Sequence, residues 1–407
     1  GGSGGAIAIT GSGTLESARV ILGTANRLLG SGALTVSGNG SLDTDGGAGV
    51  LVLNAANTFS GSITLQNGGL LEYGAASAIA SAATIALGNN SEFAVDSGLT
   101  ASNGVTVNGG TNSVISFNNG TATLSGSVLL NATATIGLRN WWSYGTAENG
   151  TISGMISGPG GLVVNNGAGT GGVLTLSNAN TFTGGIQLNA GTLALANFSA
   201  AGTGGITAVN GTTISLTSIG GTAANTVTLS GTNASVTLTS NQGSTGYYGT
   251  FAATADQTVV ISGNPVNFNA TTRQFANFAG TVNIPAGSYM GDRSSSTNWV
   301  NGGDGTLFNV DGSMGSRNTG TWSLGGLTGS GTLGMGNAGS NGLGLTYSIG
   351  ARNDVSDTFS GIIKNGDTTT NFPVQVVKVG TGTQVFSGVN TYTGNTTVNA
   401  GTLSLTN

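Results

Sequence analysis

The chain contains no cysteine, no histidine and only four prolines, and it carries just nine basic and fourteen acidic residues among 407. The first absence rules out disulfides, a thiolate nucleophile and cysteine metal sites. The second rules out histidine-dependent triads, imidazole general bases and histidine metal sites. Net charge is −5 and the basic residues are scattered (Arg19, Arg27, Arg139, Arg273, Arg293, Arg317, Arg352, Lys364, Lys378). With no basic stripe to neutralise phosphates, nucleic acid is not an expected partner. No apolar run approaches the ~18 residues of a spanning helix, and strands of three to five residues fall short of the roughly 9 to 11 that an outer-membrane barrel needs. The sequence opens at Gly1 without a charged n-region, so any secretion signal is expected to have been removed or to lie outside it.

Glycine is plentiful instead, at 76 residues, while 37% of the chain is hydrophobic. Disordered chains are charged and poor in β-branched residues; here Val, Ile, Leu and Thr recur with strand periodicity. One stretch occurs three times, at 49–72, 172–195 and 382–405. Aligned without gaps, the copies superimpose Asn57, Asn180 and Asn390, then an aromatic two residues on (Phe59, Phe182, Tyr392). Gly61, Gly184 and Gly394 follow, and after them Gly68, Gly191 and Gly401. Glycine is expected to supply the corners at positive φ that a coil needs at every turn. Within each copy apolar pairs return after an interval read as 19 residues, as Leu174/Leu176 do at Leu193/Leu195. Short alternating strands bounded by Gly/Asn turns at that spacing predict a β-solenoid with three strands per coil.

The expected fold is all-β, a single right-handed parallel β-helix running continuously over 1–407, with a less regular stretch at about 198–320. Coils of about 21 residues would make roughly 19 turns, and a rod about 90 Å long at ~4.8 Å per turn. The three Asn-Thr-aromatic segments are expected at equivalent corners. Two residues break the pattern: Gln384 stands where Leu51 and Leu174 stand, and Glu72 takes the place of an inward leucine. Either the register shifts there or a polar group sits at a coil edge; burying one unpaired costs roughly 1 to 3 kcal/mol, and the edge is the expectation.

The stretch Thr381-Gly382-Thr383-Gln384-Val385-Phe386-Ser387-Gly388-Val389-Asn390-Thr391-Tyr392-Thr393-Gly394, with Val398-Asn399-Ala400-Gly401-Thr402-Leu403, resembles the autotransporter-associated β-strand repeat, also called the passenger-associated transport repeat. Residues 154–197 are similar, including the upstream Ile156-Ser157-Gly158-Pro159-Gly160-Gly161-Leu162. The resemblance implies a right-handed parallel β-helix, export by a Gram-negative bacterium and a place on or beyond the cell surface. It is a fold signature nearly silent about activity, because its residues are turn and core positions.

Chemistry is left to carboxylates, lysine and arginine. Asp43 and Asp45 would lie side by side on one face of a strand, as a glycosidase or Ca²⁺ site requires, although they read first as a polar turn. Asp304 and Asp311, each followed by glycine, with Asp292 nearby, are weighed as a cation site against the turn signal of Asp-Gly. Glu92 with Asp96 and Asp354 with Asp357 are sparser pairs. Trp141, Trp142 and Tyr144, beside Arg139 and Asn140, would stack sugar rings if exposed and plug a coil if buried. Tyr247, Tyr248 and Trp299 carry the same ambiguity. No cofactor is expected. The functional expectation is a non-enzymatic extracellular structural or adhesive surface protein. It is expected to stack end to end with its own copies or with further repeats of a longer chain, since neither end carries a capping unit. A carbohydrate-binding adhesin is the alternative, followed by a polysaccharide lyase or hydrolase.

Overall fold

The computed structural model describes residues 7–8, 12–16, 19–38, 49–138, 148–165, 171–217, 222–240, 247–263, 266–268, 273–292, 299–300, 302–316, 320–335, 344–366 and 373–406. The protein is an all-β chain whose parallel sheets stack as a β-solenoid of about 13 turns. The one helical element among the described residues is a 3₁₀ turn at Gly303–Gly305. Two compact units divide the chain, Gly1–Gly205 and Ile206–Asn407.

The first unit is built on three walls. The first wall takes Arg19–Leu22, Gly49–Leu53, Gly69–Tyr73, Ser91–Asp96, Ser113–Asn118, Ala134–Leu138, Leu162–Asn165 and Ile186–Leu188. A second wall holds Thr100–Ala101, Thr121–Leu124, Asn149–Ile152, Val173–Leu176 and Thr192–Leu195, and a third runs from Ser12–Glu16 through Ser62–Gln66 and Gly104–Val107 to Ile156–Ser157. One turn therefore passes from Ser91–Asp96 to Thr100–Ala101 to Gly104–Val107 and arrives back on the first wall at Ser113, directly above Ser91. Corners need backbone that turns sharply without a helix. Asn67, Asn90 and Asn112, all at positive φ, supply it before three successive first-wall strands.

Side chains that stack on their equivalents form the core. Leu53, Tyr73, Val95, Phe117 and Leu138 are partners in one inward column, none more than 2% exposed. Truncating such a residue to alanine costs about 2 to 5 kcal/mol. The outer face of the first wall is buried as well: Val50, Val52 and Leu70 cluster there, and Ser116 is fully enclosed. Strands covered on both faces read as unbroken apolar runs, as in Gly49–Leu53.

In the second unit the same parallel pairing continues within its own turns. Ser235, Thr258 and Thr281 are stacked partners 23 residues apart. Its core is more aromatic. Phe275 lies within 5.4 to 5.8 Å of Phe251, Phe268, Phe278 and Phe308, ring centre to ring centre, and Trp322 meets Tyr347 edge-on at 6.3 Å.

The turn count is lower than the roughly 19 expected, because turns are not uniform. Val173 stacks on Thr192 after 19 residues, but Thr332 stacks on Ile362 after 30.

Candidate functional site

The repeated Asn-Thr-aromatic segment works as a corner rivet. Asn57 accepts hydrogen bonds at Oδ1 from the backbone N–H groups of Arg27 and Leu28, both at 2.8 Å. Its Nδ2 donates to the carbonyls of Ala55 (2.7 Å) and Ala78 (3.1 Å), so one side chain ties the turn before it to the turn after it. Asn180 repeats the arrangement, accepting from Ile156 N–H at 2.7 Å and donating to Ala200 O at 2.6 Å. Phe59 and Phe182 follow, both fully buried.

The repeat's two sets of glycines are needed for different reasons. Gly68, Gly191 and Gly401 are left-handed, as expected of corners. Gly61, Gly184 and Gly394 are not among the positive-φ positions. What excludes a side chain there is the neighbouring backbone. A Cβ would lie 1.8 Å from Gly32 O at Gly61, 2.5 Å from the carbonyl carbon of Gly160 at Gly184, and 2.3 Å from Val374 O at Gly394.

The copies do not share one wall. Residues 49–72 go from the first wall to the third and back to the first, so Asn57 and Phe59 replace a second-wall strand. Residues 172–195 go from the second wall to the first and back to the second, and Asn180 docks on Ile156, which begins the third-wall strand Ile156–Ser157. Equivalence therefore holds for the local bonding and fails for the face, because the same three-corner path can be entered at any wall. In the second unit, Asn390 likewise accepts from Ile363 N–H at 2.9 Å, yet its Nδ2 folds back onto Gly388 O. Tyr392 is half-buried there, with its hydroxyl on Thr396 Oγ1 at 2.6 Å.

Both exceptional polar residues depart from the edge expectation. In the first copy the stacking interval is 20, not 19: Val50 pairs with Leu70 and Val52 with Glu72. A one-residue slip exchanges the faces of a strand, so Leu71 and Tyr73 point in and Glu72 points out. The corner differs accordingly, since Asn67 and Gly68 are both left-handed whereas the middle copy turns on Gly191. Gln384 keeps the expected register, opposite Asp357 and Leu403. It is 1% exposed, and its Nε2 donates to Leu327 O (3.1 Å) and Asp357 O (3.3 Å).

The acids gather differently from their spacing in sequence. Asp304 faces Arg273 at 3.9 Å, both exposed. Asp311 accepts from Ser330 N and Oγ, each at 3.0 Å, and serves as a staple between turns. Asp354 pairs with Arg352 at 3.3 Å, and burial followed by Asp354 raises the carboxyl of Asp357 above its usual range. Asp96 is joined to Glu72 on the adjacent strand rather than to Glu92 on its own. Burial, and then the neighbouring Asp96, push Glu72 up to about 7. Carboxyls in hydrogen-bond contact are closer than the ~5 to 9.5 Å separations of retaining and inverting glycosidases, so this pair does not have that geometry. The pairing was hidden in sequence because it depends on the slipped register. Asp43, Asp45, Trp141, Trp142 and Tyr144 lie outside the described residues, as do the side chains of Asp292, Tyr247, Tyr248 and Trp299.

Among the described residues no three or more His, Cys, Asp or Glu side chains group as metal ligands, and no helix is long and apolar enough to cross a membrane. A cleft of about 430 Å³ in the first unit is lined by Tyr73, Ser77, Ile79, Ser81, Thr100 and Ser102 among others, without a charged side chain.

The model of the passenger-associated-transport-repeat family matches at 44–72, 163–195 and 376–405. The chain thus carries this repeat at three places, the same three that the internal alignment finds. No curated protein matches the chain, and no solved structure does. Repeat and solenoid together fit a surface protein of the autotransporter-passenger kind.

Proposed function

We propose that this solenoid is a non-enzymatic, extracellular structural or adhesive element of a Gram-negative cell surface, built into a fibre or stalk by end-to-end stacking. The observation that carries the reading is the passenger-associated transport repeat matched at three places on a stacked parallel β-solenoid, with its residues at corner and core positions. The low density of charge offers little repulsion against stacking.

Sizing of the isolated 407-residue chain across a dilution series tests the reading, with imaging of the concentrated sample for rods or fibres. Growth with concentration is the expected result; a monomer at every concentration defeats stacking between copies. Incubation with a panel of neutral and acidic polysaccharides tests the non-enzymatic part, and released reducing or unsaturated sugars would count against it.

A carbohydrate-binding role is the second reading. The uncharged, hydroxyl-lined cleft beside Tyr73 supports it, since a few placed polar groups on an apolar lining suit a neutral sugar. Retention on a glycan array, lost on filling the cleft with Ser102→Trp, is the expected outcome.

A further inference from the structure

An asparagine followed by glycine is prone to lose its side-chain amide, because a neighbour without Cβ leaves its backbone nitrogen open to attack the carboxamide. The reaction needs that nitrogen free of other bonds and the side chain free to swing onto it. Among the described residues the fold withholds one or both from six such pairs. Gly68, Gly109 and Gly211 each donate their N–H to an adjacent turn, to Asn90 O at 2.6 Å, Leu87 O at 3.1 Å and Ser235 O at 2.8 Å. Those bonds hold the nitrogens that follow Asn67, Asn108 and Asn210. Asn103 and Asn365 are buried, and both use their side-chain amides as bridges, Asn103 to Ala80 O and Ala83 O and Asn365 to Thr393. Asn149 is half-buried and accepts from Val173 N–H at 3.0 Å.

Asn119 differs from all six. It is exposed, it stands in the left-handed region at φ 60°, and the N–H of Gly120 donates to no group among the described residues. Only the Gly120 carbonyl is engaged, accepting from Asn149 N–H at 2.9 Å. The Asn119 side chain reaches Asp96, a contact that leaves the Gly120 N–H open. We propose that Asn119 is a modification site of the folded chain, where Gly120 drives deamidation of the exposed carboxamide ahead of every other described Asn-Gly pair. The Gly120 nitrogen bonds to Cγ of Asn119 and gives up its proton, the Cγ–Nδ2 bond breaks, and the side-chain nitrogen leaves as ammonia. Water then opens the cyclic imide at either carbonyl, giving aspartate or isoaspartate. The step consumes water alone. Both products place a new negative charge near Asp96. Isoaspartate also routes the main chain through the former side chain, which lengthens the corner between Ser113–Asn118 and Thr121–Leu124 by one atom. Register depends on turn geometry, so the bond from Asn149 to Gly120 O is the first contact to be disturbed.

The test is incubation of the folded 407-residue chain in mildly alkaline buffer, with peptide mapping by tandem mass spectrometry over time and enzymatic methylation to count isoaspartate. Each hydrogen bond that must open first lowers the reactive population about two- to tenfold, the net worth of one backbone bond, and opening a packed turn lowers it further. Conversion at Asn119 should therefore lead conversion at Asn67, Asn108 and Asn210 by at least about that factor. The same chain incubated in denaturant should lose the lead, because the unfolded chain frees every glycine nitrogen alike. Asn119→Gln, whose longer side chain closes the ring far more slowly, should remove the early product and its added negative charge on isoelectric focusing. The comparison of folded with unfolded wild type decides the matter if circular dichroism shows that this variant does not fold. Conversion at Asn119 no faster than at Asn67 and Asn210 in the folded chain overturns the proposal. So does a lead that persists unchanged in denaturant, since local sequence and not the open corner would then set the rate.

Discussion

Phe182 and Tyr392 hold the same place in two copies of one repeat, and the asparagine two residues before each makes the same first bond, to the N–H of the preceding turn. From there the copies diverge. Around Phe182 another turn follows: Asn180 Nδ2 reaches Ala200 O, Ile186 and Leu188 are buried, and Leu193 and Leu195 close the core. Around Tyr392 the asparagine amide turns back on Gly388, and Val398 and Leu405 face outward into the open. One sequence pattern thus yields a core in one setting and an edge in the other. Repeats of this kind contribute interface energy as well as their own.

The largest expected effect that would break this comparison is in the aromatic. Phe182→Ala should cost about 3 to 5 kcal/mol, the range for a fully buried Phe, and Tyr392→Ala under about 1 kcal/mol, as for surface positions. Guanidinium unfolding, with hydrogen exchange to locate the loss, measures both; equal costs would contradict a buried middle copy and an open last one. Next comes the rivet. Asn180→Ala should lose about 1 to 3 kcal/mol, leaving buried Ile156 N–H without its acceptor, whereas Asn390→Ala should lose less and leave the thermal midpoint nearly unchanged.

The two polar exceptions sharpen the same comparison at smaller scale. Because the carboxyl of Glu72 is raised from 4.5 to about 7 on folding, the folded chain holds more protons than the unfolded one between those values. Its contribution is therefore fully present below about 4.5, is lost as pH rises towards about 7, and is constant above. Glu72→Gln should flatten that segment of a plot of thermal midpoint against pH; a variant with the wild-type slope would place the titration on another group. The smallest effect is expected for Gln384→Leu, which restores the residue of the other copies and removes the enclosed, unpaired Oε1. Loss of two donors and gain of apolar burial should cancel to within about 1 kcal/mol, since replacing a buried polar group by an apolar one of similar shape is close to neutral.

Much of the architecture is legible in the residues alone. Asn57, Asn180 and Asn390 are marked as corner positions by their shared spacing, and the structure gives all three the same acceptor role. The glycines are marked as well, but spacing cannot tell Gly191, which turns the chain, from Gly184, which lets two turns approach. The 19-residue interval is right for Val173 and Thr192 and for Thr383 and Thr402. It is wrong by one for Leu51, and that single residue hid the candidate site. A 19-residue interval puts Glu72 with the inward leucines, whereas the actual 20-residue interval sends it outward to Asp96.

Composition and period by themselves determined the class of fold: apolar residues recurring every second position between Gly and Asn corners read as short strands, their return at a near-constant interval reads as stacked turns, and glycine and asparagine permit the left-handed corners. Which wall each copy occupies, which polar residue is turned in or out, and which acids meet were settled only in three dimensions. Those outcomes depend on register and on the length of every intervening corner. A one-residue difference in a corner exchanges the two faces of a strand while leaving the pattern of the sequence almost unchanged.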